Sequence, residues 1–564
     1  TNSVGGEDPS GQDPGPGTLN NAQTISSFTI LNEGVAGMDF GFNFNTIVNT
    51  NESGQGSLDQ FIINANALDE SGIDIEANGI FDPGAGDDTS IFMIPPTGDV
   101  LGRTADGNYN GNYFEIDIPN PSTITTITGT NTHLDARTQT AYSGNSNTGS
   151  IGAGGTSVGI AGTPLPTYEL PEIQLYKGSG DILRTQGSGV VIRNMAIYAN
   201  NNSALIIEDG DVIISNMLLG VDATGANGGN IDYGISMTDG ASQIDGNYIA
   251  TNTAAGILVS GGTSALIQNN HITSNGDAAC TDNISITGGS GVVIQQNLIE
   301  LSGAMGIDGN GIAGGLTITE NTITTAGQNG GNCSGETENA GIHLDGSNSS
   351  IISNIIYQNE GAGIVLAGGN TSGNLISQNS IYANGTAGDA LGIDIDQADG
   401  MGDGVTLNDT GDADTGPNGA ANFPIITTAY IEGPNLILKG WSRPGANIEV
   451  FLTDINEGTA AEGDNQLGMS TDYGEGQIYV GSAMEGSGSD LDAGSSVYTD
   501  ADGNTDNTNQ FHLQIPYTPS LDSGFKVTAT ATLANTTSEF SPVSIIKIKS
   551  VITNRRITYR VNPN

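Results

Sequence analysis

Several groups of side chains have the types and spacing to do chemistry. In THLDARTQ, His133, Asp135 and Arg137 alternate, so a strand would present all three on one face. A His/Asp/Arg row can carry out acid–base work. In GIDID, Asp394 and Asp396 alternate in the same way, with Asp308 of GIDG several repeats upstream. Two carboxylates about 5–10 Å apart would make a hydrolase pair. In TDADGNTDNTNQ, Asp500, Asp502, Asn504 and Asp506 alternate like the oxygen ligands of a Ca2+ loop. The loop departs from the EF-hand pattern: Gly503 is fourth, Thr505 sixth, and no Glu stands twelfth. Asp409, Asp412 and Asp414 in NDTGDADTG form a similar set. Each group also has a plainer reading: Arg137 pairs with Asp135, Asp394 and Asp396 are turn-proximal, solvent-facing carboxylates that would bind a cation, and the Asp-rich loops are hairpin turns. His271 and His343 read as packed or surface strand residues.

What is missing also decides. Cleavage of a uronate chain by elimination needs a cation at the carboxylate and a strong base, usually Arg or Lys, at the α-proton. No Lys or Arg occurs between Arg193 and Lys439. The repetitive body therefore lacks both the base and a cationic subsite.

The elements that must position these groups are short strands. The 564 residues carry 62 acidic and 13 basic side chains, a formal net charge of −49, and 85 glycines. That charge repels nucleic acid, anionic membranes and uronic-acid polysaccharides, and favours divalent cations. No stretch reaches the ~18 apolar residues of a membrane span. No signal peptide is visible and the first residue is Thr1, which reads as a processed product or a fragment.

Residues 1–23 are Gly/Pro/Asp-rich and read as a flexible N-terminus or linker. Residues 24–177 are β-rich and read as a cap with the first coils. Within them GSLDQFIINANAL predicts a short helix over about 57–67, with Ser57 and Gln60 as a capping box. From 178 to 423 the chain repeats around corners at Asn194, Asn216, Asn247, Asn270, Asn297, Asn321, Asn354 and Asn379. Three short strands plus turns make one coil of a parallel β-helix, and stacked coils share a core that one coil cannot bury alone. Each corner Asn is expected to stack on the Asn of the next coil. Residues 424–546 read as alternating strands with Gly/Pro turns, an antiparallel β-sandwich with Trp441 in its core.

The fold class is thus all-β: a right-handed parallel β-helix with a C-terminal antiparallel β-sandwich. In order, NTNESGQGSLDQFIINAN, LDARTQTAYSG, the Asn-X-Ile repeats, LGIDID, NDTGDADTGPNGAANFPII and TATATLANTTSEFSPV resemble bacterial secreted or surface proteins in which such a helix precedes an immunoglobulin-like sandwich. The resemblance spans roughly residues 45–545. It implies extracellular or cell-surface placement and no particular reaction.

Cys280 and Cys333 both lie in polar insertions after a corner, two corners apart. Coil stacking puts these loops on one side, about two rises of ~4.8 Å apart. A disulfide is expected, with two free thiols as the alternative. Finally, Lys547, Lys549, Arg555, Arg556 and Arg560 place five of the thirteen cations in the last eighteen residues, 547–564. SVITNRRITYRV alternates as an additional strand. It packs on its own sandwich, joins an acidic sheet edge of another copy, or serves as an anchoring or junction segment. The sequence supports an extracellular non-enzymatic structural protein, an adhesin or a self-assembling fibre or coat subunit. Its partners would be other copies, other surface proteins or glycans. The alternative is a β-helix protein that binds or cleaves polysaccharide.

Overall fold

The computed structural model describes residues 44–68, 83–98, 103–199, 202–226, 232–262, 264–276, 280–312, 314–328, 339–369, 371–386, 390–395, 405–409, 411–413, 415–453, 473–491, 495–499, 505–517 and 520–549. Three parallel sheets of ten, ten and nine strands form a solenoid. One coil runs Ser264–Gln268 in the first sheet, His271–Thr273 in the second and Ile284–Ile286 in the third. Val293–Gln295 then re-enters the first sheet beside Ser264–Gln268. Stacking starts well before residue 178, because Asp88–Thr89 heads the first sheet and Phe114–Asp117 the second.

Strands of three to five residues suffice because each needs to bury only one or two side chains. Ile267, Ile272 and Ile284 point inward and stack in register on Ile294, Ile299 and Ile307 of the next coil. Burying one such side chain is worth about 1.5–3 kcal/mol, so the core grows stronger with each coil. The helix Leu58–Ala67 adds Leu58, Phe61, Ile62 and Ala65 to this core. It starts at Ser57, whose hydroxyl accepts the Gln60 N–H at 3.1 Å.

The corner between the first and second sheets is held by side chains that replace backbone partners. Asn270 donates its N–H and its side-chain amide to Asn297 Oδ1 at 2.9 and 3.0 Å. Its second amide hydrogen goes to the Ile244 carbonyl at 2.9 Å. The pattern recurs from Asn247 through Asn297, Asn321 and Asn354 to Asn379. Each of these asparagines is almost fully buried. Asp lacks the donors, and Gln is too long for the register.

Asn194 and Asn216 are not part of this ladder. Met217, not Asn216, donates its N–H to Asn247 Oδ1, and strand pairing aligns Met195 with Met217. Asn194 and Asn216 sit one residue earlier, at φ 60° and 51°. There the backbone turns left-handed, a conformation asparagine tolerates better than most residues. Gly246, Asn269 and Gln296 hold the same position in later coils.

The C-terminal part is one nine-stranded sheet rather than two separate antiparallel ones. Ile425–Glu432 pairs parallel with Ser544–Lys547, which pairs antiparallel with Lys526–Leu533 and so joins the two halves. The sheet curls, barrel-like, around Leu436, Val450, Phe511, Leu513, Ile515 and Val527. Trp441 is half-buried at one side of this domain and is not part of its core.

Three glutamates from this domain close the last coil. Glu449 accepts the Ser377 hydroxyl at 2.6 Å and the Gln378 N–H at 3.0 Å. Glu475 accepts the side-chain amide of Asn384 at 2.8 Å and its N–H at 3.3 Å. Glu539 accepts the N–H groups of Ile395 and Thr406 at 2.9 and 3.0 Å. All three are at most 4% exposed. Phe451 and Phe540 extend into the solenoid core beside them.

Two consequences can be measured. Asn297→Ala leaves the two donors of Asn270 unpaired, at about 1–3 kcal/mol each, and Asn379→Ala does the same to the two donors of Asn354. Chemical denaturation should show a loss of about 2 kcal/mol or more at each site, and a loss below about 1 kcal/mol at either would refute the ladder's stabilising role. Burial raises the Glu449 carboxyl above the ordinary glutamate value, against the opposing hydrogen bonds from Ser377 and Gln378. Its stabilising contribution is full below the unfolded value of about 4.3 and is lost as pH rises through the raised one. Wild-type stability should therefore increase from pH 7 to pH 5 by more than that of Glu449→Gln, as read from urea midpoints at both pH values.

Candidate functional site

The outer face of the third sheet carries the most chemically capable row. Ser285, Asp308, His343, Val365 and Asp394 stack in register on successive strands. Each follows an inward isoleucine, so each side chain faces out. His343 Nδ1 lies 2.7 Å from Asp308 Oδ1, with the two side chains 14% and 15% exposed. The loops leading into this row include the one carrying Cys280, just before Ile284–Ile286. Cys280 is disulfide-bonded. The chain has one other cysteine, Cys333, which lies outside the described residues in the insertion before Ile342–Gly346.

An imidazole beside a carboxylate can move a proton. The row does not complete a hydrolase. Asp308 stands between Ser285 and His343, so the hydroxyl is two strand steps, about 9.6 Å, from the imidazole. A serine nucleophile needs the imidazole as its direct neighbour. Asp394 is three steps from Asp308, about 14 Å, beyond the spacing of a two-carboxylate glycosidase. Asp394 is also buried, at 3% exposure, rather than solvent-facing. The sequence placed Asp308 and His343 apart. Only counting the coils across the 327–341 insertion would have aligned them.

THLDARTQ forms a different arrangement from the expected strand. The strand Thr132–Asp135 ends at Asp135, and Arg137 opens the helix Arg137–Ser143. Asp135 is 1% exposed and binds Arg137 through Nε at 2.9 Å and Nη2 at 2.5 Å, with Arg193 Nε at 3.1 Å. His133 Nε2 is 3.7 Å from Asp87. Burial lowers the His133 pKa, Arg193 lowers it further, and Asp87 and Asp135 oppose. The carboxylate is consumed by two guanidinium groups, which makes this a structural network.

Residues 151–168, which the sequence reading placed in the cap and first coils, cover the outer face of the second sheet. The Tyr168 hydroxyl donates to the Asn269 carbonyl, and the N–H groups of Gly159 and Ala161 to Thr322 and Glu320. The Ile160 N–H reaches the Ser353 carbonyl at 3.1 Å. Beneath this strap, His271 is buried; its Nδ1 accepts the Ala153 N–H at 3.1 Å while Nε2 lies 2.9 Å from Glu300. On earlier strands of the same second sheet, Tyr176 and Tyr198 pair in register with ring centroids 5.0 Å apart. Tyr198 is pushed up to about 12 by burial and then by Glu115 and Asp222.

Of the calcium-loop residues, Asp500, Asp502 and Asn504 lie outside the described residues, as does Asp396. Asp506 is described in its backbone alone, paired with Tyr498. Asp412 forms an ion pair with Arg443, and Asp409 accepts the Ala413 N–H, so neither is left as a bare cation ligand. Among the described residues, no group of three or more His, Cys, Asp or Glu side chains is placed to hold a metal. In the tail, Lys547 pairs with Tyr430 in the sheet, and Lys549 forms an ion pair with Glu432 and lies 5.7 Å from the Tyr430 ring centre. Arg555, Arg556 and Arg560 lie outside the described residues. No helix among the described residues is long and apolar enough to cross a membrane.

A family model described as a right handed beta helix region matches residues 181–339. Among solved structures, the chain is similar to ORF18 of Geobacillus virus E2, at 14% identity over 88% of this chain and 76% of that one, with a TM-score of 0.27. It is also similar to the enzymatically active domain of tailspike protein 2 of bacteriophage CBA120, at 12% identity over 67% of this chain and 68% of that one, with a TM-score of 0.23. The full-length tailspike protein 2 from an Escherichia coli O157:H7 bacteriophage matches at 12% identity over 67% of this chain and 61% of that one, with a TM-score of 0.22.

Proposed function

We propose that this right-handed β-helix protein is a non-enzymatic extracellular or cell-surface structural component, an adhesin or a subunit of a fibre or coat. The observation that supports this reading is the seam. Three buried glutamates and two phenylalanines seat the C-terminal domain on the last coil, so the solenoid and the domain make one stiff unit. A flexible linker would orient nothing; a plugged seam fixes the domain relative to the shaft.

The same seam directs how copies would assemble. The last coil's N–H groups are taken by glutamates, so a bare coil end is not offered there for strand addition. Assembly then runs through sides or through the basic tail of Lys547, Lys549, Arg555, Arg556 and Arg560, of which Lys547 and Lys549 also touch their own domain. The net charge of −49 suits a salty exterior that screens self-repulsion. The chain's partners would be its own copies, other surface proteins or glycans.

A second reading has its own observation. The Asp308–His343 pair, its side chains about one-seventh exposed, lies on a long sheet face and favours a polysaccharide-binding or polysaccharide-cleaving protein. Incubating the protein with a panel of neutral and acidic polysaccharides and assaying new reducing ends separates the two. The structural reading expects no release by wild type. Release that disappears in His343→Ala would replace it with the enzymatic one.

A further inference from the structure

One cavity of about 310 Å³ opens at the seam between the solenoid and the C-terminal domain. Ser372 comes from the solenoid side, Arg443 and Leu533 from the domain, and Asp412, Asn418 and Asn422 from the connection between them. Its shape is held by backbone that few residues adopt. Asn418, Gly419 and Ala420 are all left-handed, at φ 47°, 65° and 49°, as are Ala534 and Asn535 at 50° and 64° in the hairpin tip opposite. Asn418 is fully buried and locks the floor by donating to the carbonyls of Asn374 and Thr537 at 3.1 and 2.7 Å. The hairpin tip is fixed by the Gly373 N–H, which donates to Thr536 Oγ1 at 3.2 Å.

The wall chemistry narrows the ligand. Asp412 accepts the Asn422 N–H at 2.7 Å and forms an ion pair with Arg443 through Nη1. A guanidinium carries five N–H donors in a plane, so the pair offers donors beside a carboxylate acceptor. Leu533 and the alanines at 446, 531 and 534 make an apolar side. An anionic ligand meets Asp412 and the field of a −49 chain. A cationic ligand meets Arg443. A neutral ring with hydroxyls on its rim and C–H groups on its face suits both walls. The volume is at the small end for ligand pockets, about 300–1,000 Å³, and admits a short ligand, not a long chain.

We propose that this seam cavity binds a neutral sugar unit, its hydroxyls held by Asp412 and Arg443 and its apolar face set on Leu533, with Asn422 bracing the wall through its bonds to Asp409 and Asp412. The proposal rests on the adhesive reading and supplies its ligand class. The site is separate from the Asp308–His343 row, so binding here involves no cleavage.

The test is saturation-transfer NMR on the full chain with glucose, galactose, mannose and N-acetylglucosamine, and glucuronate as the anionic control. At least one neutral sugar should show transfer, with glucuronate weaker. Leu533→Trp fills the mouth from a partly exposed position, and the pair Asp412→Asn with Arg443→Gln removes both charges at nearly constant volume. Each should weaken binding about tenfold or more while the melting curve stays near wild type. No transfer to any neutral sugar, or transfer that survives both variants, overturns the proposal. Reducing-end release with intact seam binding would overturn the non-enzymatic reading and leave this site standing.

Discussion

Everything in this molecule depends on one constraint: a coil about 4.8 Å thick must have every buried polar group answered by the coil beside it. The solenoid meets this with backbone ladders in three sheets and with asparagine amides at the corner. The asparagine suits because its carbonyl takes two donors from the coil before it, while its amide serves the coil after it and a strand carbonyl at once. Such a column has no natural end. Whatever stops it must present an acceptor where the next asparagine would be.

The C-terminal domain does this with carboxylates. Glu475 ends a second asparagine row, in which Asn359 donates its N–H and side-chain amide to Asn384, and it receives the same two donors from Asn384. Glu449 and Glu539 answer other N–H groups of the last coil. Burying a carboxylate is costly unless it is hydrogen-bonded, and each has two donors. The acidity that looked like a surface property therefore also works inside, at the one place where the repeat must stop.

The repeat was legible because its period carries three signals at once: inward isoleucines, a corner asparagine and short intervening turns. The C-terminal strands were legible by alternation, while their closure through Ser544–Lys547 into one mixed sheet was not, since pairing partners leave no mark on a single strand. The first two corners were misplaced by one residue because Asn194 and Asn216 fill the left-handed position, where asparagine also fits, leaving Met195 and Met217 in the ladder. The strap over the second sheet was invisible, because its contacts are mostly backbone N–H groups to scattered side chains and carbonyls. The Asp308–His343 pair was hidden by an insertion of unequal length between the coils that carry its members. At Asp135 the structural reading holds, a pair with Arg137, and what the local string could not show is Arg193, which is distant in sequence and adjacent in register.

A regular solenoid limits what chemistry can be built on it. Side chains on one outward row are spaced by strand steps, so neighbours are about 4.8 Å apart and the next about 9.6 Å. A catalytic pair must fall on adjacent strands, and a third group must then lie on the far side or in the next column. The third sheet achieves one pair and no correctly ordered third member. The seam is free of this spacing, because a hairpin tip, an irregular connection and the last corner meet there at angles the solenoid does not set. Three successive left-handed residues are tolerated at that point, in backbone held by hydrogen bonds from both parts. In a molecule whose shaft is this periodic, the place where the periodicity is broken and then rigidly held is where a ligand of defined shape can be recognised.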